Sequence, residues 1–279
     1  IDAMRRLLET VGMMICLMGS AAAFVAPAVR TSFRLTQQVG GRNTAASCHR
    51  FFTVGKHQRR VAAVRMMSDG WEGKHAIFDV TNTLMELREP VGRTYARIAE
   101  KHGIQVGEEE MDRGFRREFA LMDSIPYWDF KGDMQMAEAK EREWWRLLVR
   151  NVMGCEDNEA YQACFDECFD HFGTNKAWKL FPEVLPTLDT LRAKGCRLSI
   201  VSNWDFRLEG LLEQLELRDY ADFVILPAHA GCVKPDSRIF EMALERASEA
   251  AGAEVSASEC VYVGDSMSRD VRGSEAVGM

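Results

Sequence analysis

Four short apolar runs, each followed by a polar residue of a different kind, constrain this chain more than any other feature. They are His75–Val80, Cys196–Ser202, Phe223–Pro227 and Cys260–Gly264. Rich in Val, Ile and Phe and without clean alternation, they read as strands buried on both faces of a parallel sheet. Helical stripes separate the last three. Leu208, Leu211, Leu212 and Leu215 form one, and Ile239, Phe240, Ala243, Leu244 and Ala247 form another. Strands alternating with helices predict an open α/β sheet with right-handed crossovers.

Between the first run and the helix leading to the second lie about 95 residues with no strand signal. Val91, Tyr95, Ile98 and Ala99 fall at helical spacing, as do Phe115, Phe119 and Met122. Trp144 to Leu148 and Tyr161 to Phe172 continue the pattern. Such a segment is far too long for a loop in a compact domain. It predicts an inserted helical cap of four or five helices over residues 86–179, between core segments 69–85 and 180–279. Its aromatics Trp128, Trp144 and Trp145 read as cap core rather than as a stacking surface for substrate.

The charge divides the chain as sharply as the hydropathy does. The 279 residues carry a net charge of −7. Residues 1–68, however, hold ten Lys plus Arg against only Asp2 and Glu9, a balance of +8, which leaves −15 on the rest. Arg5 and Arg6 precede an apolar run from Val11 that ends in small residues near Ala23, the order of a signal peptide. That run is too short for a stable membrane span. Residues 24–67 are basic, acid-free and rich in Ser, Thr and Ala, as in organelle transit peptides.

The junction Ala22-Ala23-Phe24-Val25-Ala26-Pro27 resembles the two-part leaders of algae with complex plastids, which implies a plastid destination. A mitochondrial or secretory address is the alternative. The chain begins at Ile1 rather than Met and is expected to be incomplete there. No membrane span is expected in the mature protein. With 47% hydrophobic residues the body can build a core, which excludes disordered classes, and its acidic balance with no basic stripe excludes nucleic acid as a partner.

Eight cysteines are scattered without a CxxC pair, so they predict neither a disulfide scaffold nor a zinc ribbon. Cys164, Cys168 and His171 share one helix face. They read as core, with metal ligation the lesser alternative.

In open α/β sheets a ligand sits at the carboxyl ends of the strands. Asp79 ends the first run, Ser202 and Asn203 the second, and Gly264-Asp265 the last, while Lys234 stands in the loop after the remaining one. These residues, with Asp270, are predicted to converge. The set suits phosphoryl transfer. A carboxylate attacks phosphorus, a hard divalent cation such as Mg²⁺ offsets the repulsion between two anions, and an ammonium and a hydroxyl stabilise the transferring oxygens. Lys234 is equally suited to keeping Asp79 ionised.

Asp79-Val80-Thr81-Asn82-Thr83-Leu84, Ser202, Lys234-Pro235 and Gly264-Asp265 through Asp270 together resemble the motifs of the haloacid dehalogenase-like hydrolase superfamily, over residues 74–279. The resemblance implies a Rossmann-like core with a helical cap inserted after the first motif. It implies Mg²⁺ held by Asp79, the backbone carbonyl of Thr81 and Asp265, with Asp270 in support. It implies phosphate contacts from Thr83, Ser202, Asn203 and Lys234, and a small phosphorylated substrate. The family continues with a further strand and helix, so truncation after Met279 is also expected.

One residue departs from that pattern. Phosphatases of this family place a second Asp two residues after the nucleophile, where this chain has Thr81. Thr does not ionise near neutral pH and cannot be the general acid/base. A slow phosphatase, a non-catalytic binder of a phosphorylated ligand or partner protein, and a metal-independent 2-haloacid dehalogenase all remain open. Asp265 and Asp270 argue against the third.

Overall fold

The computed structural model describes residues 73–123 and 133–279, so the leader readings for 1–68 and the residue Trp128 lie outside the described residues. The apolar runs form four parallel strands, β1 (His75–Phe78), β4 (Arg197–Val201), β5 (Val224–Ile225) and β6 (Cys260–Val263), in the order β5-β4-β1-β6. The central strand β1 pairs with both β4 and β6, and Phe78 aligns with Ile200 and Val263. The strands are shorter than the runs that predict them. Asp79 therefore lies one residue beyond β1, Ser202 one beyond β4, and Asp265 two beyond β6.

Alternate strand residues feed opposite faces of the sheet, because successive side chains in a strand point to opposite sides. Ala76, Phe78, Leu198, Ile200 and Val224 pack with α5 (Val184–Ala193) and α6 (Leu208–Gln214). Ile77, Val201, Ile225 and Cys260 pack with α8 (Ser237–Ala251) on the other side. The Leu208 and Ile239 stripes seen in the sequence are the buried faces of α6 and α8. A short helix, α7 (Pro227–Ala230), follows β5.

After Asp79 the chain turns sharply. The amides of Thr83, Leu84 and Met85 all donate to the Val80 carbonyl, and Asn82 takes a left-handed φ of 61°. Asn is one of the few residues with a side chain that tolerate this region. The turn leads into β2 (Met85–Leu87), which pairs antiparallel with β3 (Trp178–Leu180). This ribbon is a strand pair in a segment whose sequence carries no strand signal. Three residues per strand are too few to show a period of two, and Met85, Leu87, Trp178 and Leu180 pack with the sheet's cluster. The ribbon straddles both predicted cap boundaries, at 85/86 and 179/180.

Among the described residues, four helices lie between the two ribbon strands: α1 (Val91–Lys101), α2 (Glu108–Met122), α3 (Met134–Met153) and α4 (Glu159–Phe172). They surround a cluster of their own that includes Tyr95, Ile98, Met111, Trp144, Leu148, Tyr161 and Phe165. Cys164 and Cys168 belong to this cluster, so both are core residues. Gly92 lets α1 and α2 touch, since a Cβ there would stand 2.1 Å from the Glu108 carbonyl oxygen. No disulfide joins the cysteines of the described residues. No helix among the described residues is long and apolar enough to cross a membrane.

A buried polar knot joins these helices to the loop after β4. Asp205 takes the Trp145 indole N–H on Oδ2 at 2.7 Å, while the Arg207 guanidinium donates to both of its oxygens at 2.6 and 2.8 Å. Arg207 also donates to the Phe169 carbonyl and lies 3.7 Å from the centre of the Phe169 ring. Glu141 of α3 is fully buried and accepts the Phe206 amide at 3.0 Å, while its other oxygen has no partner.

Burial, aided by the charge of Asp205 and resisted by the Phe206 amide, pushes the Glu141 carboxyl up to about 8. Between the ordinary 4.5 and about 8 the folded protein holds a proton that the unfolded chain has released, so stability falls as pH rises through that window. Glu141→Gln removes this loss. Its melting temperature relative to wild type is expected to rise with pH up to about 8 and then level off. A difference that stays flat with pH would contradict the assignment.

Candidate active site

Lys234 brings the strand ends together. Its side chain is buried, and its three ammonium protons go to Asp79 Oδ1 at 2.8 Å, Asp270 Oδ1 at 2.6 Å and the Tyr262 hydroxyl at 2.9 Å. Tyr262 in turn donates to the Val201 carbonyl of β4 at 2.6 Å. Burial works against the charge on Lys234. Attraction to Asp79, to the Tyr262 oxygen and to Asp270 outweighs it and holds the ammonium above its ordinary value. Lys234 therefore stays protonated throughout the physiological range.

Asp79 is fixed by two further contacts. Its amide donates to the Val263 carbonyl at 2.8 Å, and Ser202 Oγ donates to its Oδ1 at 2.8 Å. Both side-chain donors, Ser202 and Lys234, converge on Oδ1, and Oδ2 takes a bond from neither. Asn203 ties the Lys234 loop to β4. Its amide group donates to the Lys234 carbonyl at 3.0 Å and accepts the Lys234 N–H at 2.8 Å.

Asp270 sits on one π-helical turn, Met267–Val271, with Oδ1 on Lys234 and Oδ2 accepting the Ser266 amide at 2.8 Å. Gly264 permits this placement, because a Cβ there would lie 2.3 Å from the Asp270 carboxyl carbon. Asp265 accepts from Asn82 at 3.3 Å. Burial raises the Asp265 carboxyl above its ordinary value, and the charge of Asp79 adds to the effect. Asp79, Asp265 and Asp270 offer oxygens within 4.8 Å of one another. Three hard, anionic donors in a partly desolvated cluster match the needs of a divalent cation such as Mg²⁺. Among the described residues this is the cluster with metal-ligating geometry, whereas the Cys164, Cys168 and His171 set is not one.

Asp79, Thr81, Asn82, Ser202, Asn203, Lys234, Asp265 and Asp270 all line one cavity of about 590 Å³ between sheet and helices. Thr83 does not. It is fully buried under the turn, and its hydroxyl has no partner. The expectation that Thr83 contacts phosphate is corrected, because the amide bonds onto Val80 turn it into the core. Thr81 is engaged differently from what its residue type alone implies. Its hydroxyl accepts the Trp204 indole N–H at 2.7 Å.

Sequence reading misses Tyr262, Trp204 and the Asp123–Arg269 ion pair that joins α2 to the Asp270 turn. Only Tyr262 carried a usable signal, since a Tyr within a buried strand needs a hydrogen-bond partner for its hydroxyl.

With this geometry established, likeness to known proteins becomes informative. Haloacid dehalogenase-like hydrolase domain-containing protein 3 of Mus musculus is 35% identical over 206 residues, covering 72% of this chain and 78% of that protein. The Homo sapiens protein of the same name is 34% identical over the same length. The crystal structure of a HAD phosphatase from Thermococcus onnurineus matches with a TM-score of 0.50 and 24% identity, covering 74% of this chain and 83% of that one, a likeness of fold. The family profile described as haloacid dehalogenase-like hydrolase spans residues 74–278, so this chain belongs to the haloacid dehalogenase-like hydrolase family.

Proposed function

We propose that this protein hydrolyses a small phosphorylated metabolite with Mg²⁺, through an aspartyl phosphate on Asp79. The observation that carries the reading is a set of three carboxylates with oxygens within 4.8 Å of one another, two of them paired with one buried ammonium, at the floor of a cavity. Asp79, the Thr81 carbonyl and Asp265 would hold Mg²⁺, with Asp270 behind them. The ion would offset the charges of Asp79 and of the substrate phosphate.

The chain's own residues then divide the work. Ser202 and Lys234 occupy Asp79 Oδ1, which leaves Oδ2 as the attacking atom. As the new bond to phosphorus forms, the ester bond breaks and its electrons leave on the alcohol oxygen, which takes a proton from water. Water then cleaves the acyl phosphate and restores the carboxylate. Thr81 supplies neither proton transfer, and the loss of a general acid/base costs about 10²–10⁴-fold in rate. Slow turnover follows.

A non-catalytic role as a binder of a phosphorylated ligand is the second reading. The Thr81 hydroxyl, tied to Trp204, favours it. A panel of phosphate esters assayed with Mg²⁺ separates the two. Hydrolysis that disappears in Asp79→Asn supports the proposal. Stabilisation by ligand without turnover on any ester supports the second reading. Activity unchanged in Asp79→Asn sinks the mechanism.

Thr81→Asp restores the missing group at a position where the Trp204 N–H already offers a hydrogen bond. Turnover is expected to rise by about 10²-fold, read as the single-turnover rate of dephosphorylation. No gain would place the bottleneck elsewhere. Mg²⁺ affinity is expected to weaken as pH falls towards the raised value of Asp265, because metal ligands must be ionised. Calorimetric titration that finds affinity constant down to about pH 4, the ordinary Asp value, would contradict that role for Asp265.

A further inference from the structure

The cavity above Asp79 is much larger than a phosphoryl group requires, and its two ends differ in chemistry. Pockets of roughly 300–1,000 Å³ enclose drug-sized ligands, and about 590 Å³ falls within that range. The floor is polar. The walls are rings, with Phe115 and Phe119 from α2, Trp145 from α3, Phe172 from α4 and Trp204 from the loop after β4. These five are half-buried, so part of each ring faces open space. Phe119 stands 5.6 Å from Phe115 and 6.1 Å from Trp145, centre to centre, which makes a continuous aromatic panel.

The cations lining the cavity among the described residues are Lys234, Arg207 and Arg269, and each already pairs with a carboxylate. Lys234 is held by Asp79 and Asp270, Arg207 by Asp205, and Arg269 by Asp123. Four neutral polar side chains at the floor are engaged as well. Ser202 bonds Asp79, Asn82 bonds Asp265, Asn203 bonds the Lys234 backbone and Thr81 accepts from Trp204. A second anionic group, or a leaving group rich in hydroxyls, would lose its water against the rings, whose faces offer it little in return.

We propose that the site selects phosphate monoesters whose alcohol is neutral, bulky and apolar, with an aromatic ring or its equivalent against the Phe115–Phe119–Trp145 panel. The proposal rests on the reading of Asp79 as a phosphate-handling carboxylate and specifies the other half of the substrate. Sugar phosphates and bisphosphates are poor ligands on this account.

The test is isothermal titration calorimetry on the full chain with Mg²⁺, using phosphonates whose carbon–phosphorus bond is not hydrolysed. 2-Naphthylmethylphosphonate is expected to bind about 10-fold tighter than methylphosphonate, or more, since even one methylene gives that discrimination in an apolar pocket. Phe119→Ala is expected to bring the ratio towards one. If that variant fails to fold by circular dichroism, Phe115→Leu serves in its place. Equal affinity for the two phosphonates, or tighter binding of methylenebisphosphonate than of the naphthyl compound, overturns the proposal.

Turnover of 2-phenylethyl, ethyl and sugar phosphates is measured alongside. Selective binding with no turnover of any ester defeats the hydrolase reading and leaves the selectivity intact. Turnover with equal kcat/KM on phenylethyl and ethyl phosphate defeats the selectivity and leaves the hydrolase reading intact.

Discussion

An ammonium group buried between two carboxylates governs the architecture around it. Lys234 and Asp270 are 3% and 1% exposed, and Asp79 is little more so. Removing charges from water is costly unless each is paired and hydrogen-bonded. The pairing here requires four separate stretches of chain to meet: the residue after β1, the loop before α8, the Tyr262 position of β6, and the turn that carries Asp270. The parallel sheet makes the meeting possible. Adjacent strands run the same way, so their carboxyl ends lie along one edge, and residues 123 positions apart in the chain share a hydrogen bond.

That logic explains why the fold was readable from the sequence. A strand covered on both faces has to be apolar almost throughout, and such runs stand out against flanking polar residues. The helix stripes were equally plain, because 3.6-residue periodicity persists over several turns. The β2–β3 ribbon was not readable, since its strands are short and their pairing partner lies some 90 residues away. The polar ends of the runs marked Asp79, Ser202 and Asp265, and the loop after the remaining run marked Lys234; all four line one cavity. Thr83 was misplaced because motif membership says nothing about which way a side chain leaves a tight turn. Trp204 and Tyr262 were missed for a related reason. Each matters through one tertiary hydrogen bond, and single-residue patterns do not encode a partner far along the chain.

Family membership and site geometry describe different levels of the molecule. The fold of the α/β core is what the chain has in common with haloacid dehalogenase-like hydrolases. The Thr81–Trp204 contact and the ring-lined walls are finer features of the site that family membership alone does not specify. On the proposed function, chemistry at phosphorus would draw on the first group, and rate and selectivity on the second. A shared fold therefore says little about which compound is used.

The stretch from Ser202 to Arg207 touches both halves of the site. Ser202 and Asn203 hold Asp79 and the Lys234 backbone, while Asp205, Phe206 and Arg207 hold Trp145, Glu141 and Phe169 of the helices. Six consecutive residues thus act as a strut between Asp79 and the walls of the cavity. Walls and floor are not separate modules. Reshaping the helices, whether by drift or by engineering, transmits its displacement along this strut to Asp79. A second tie, the Asp123–Arg269 ion pair, runs from the end of α2 to the Asp270 turn, so changes that keep both sets of anchors disturb the floor least.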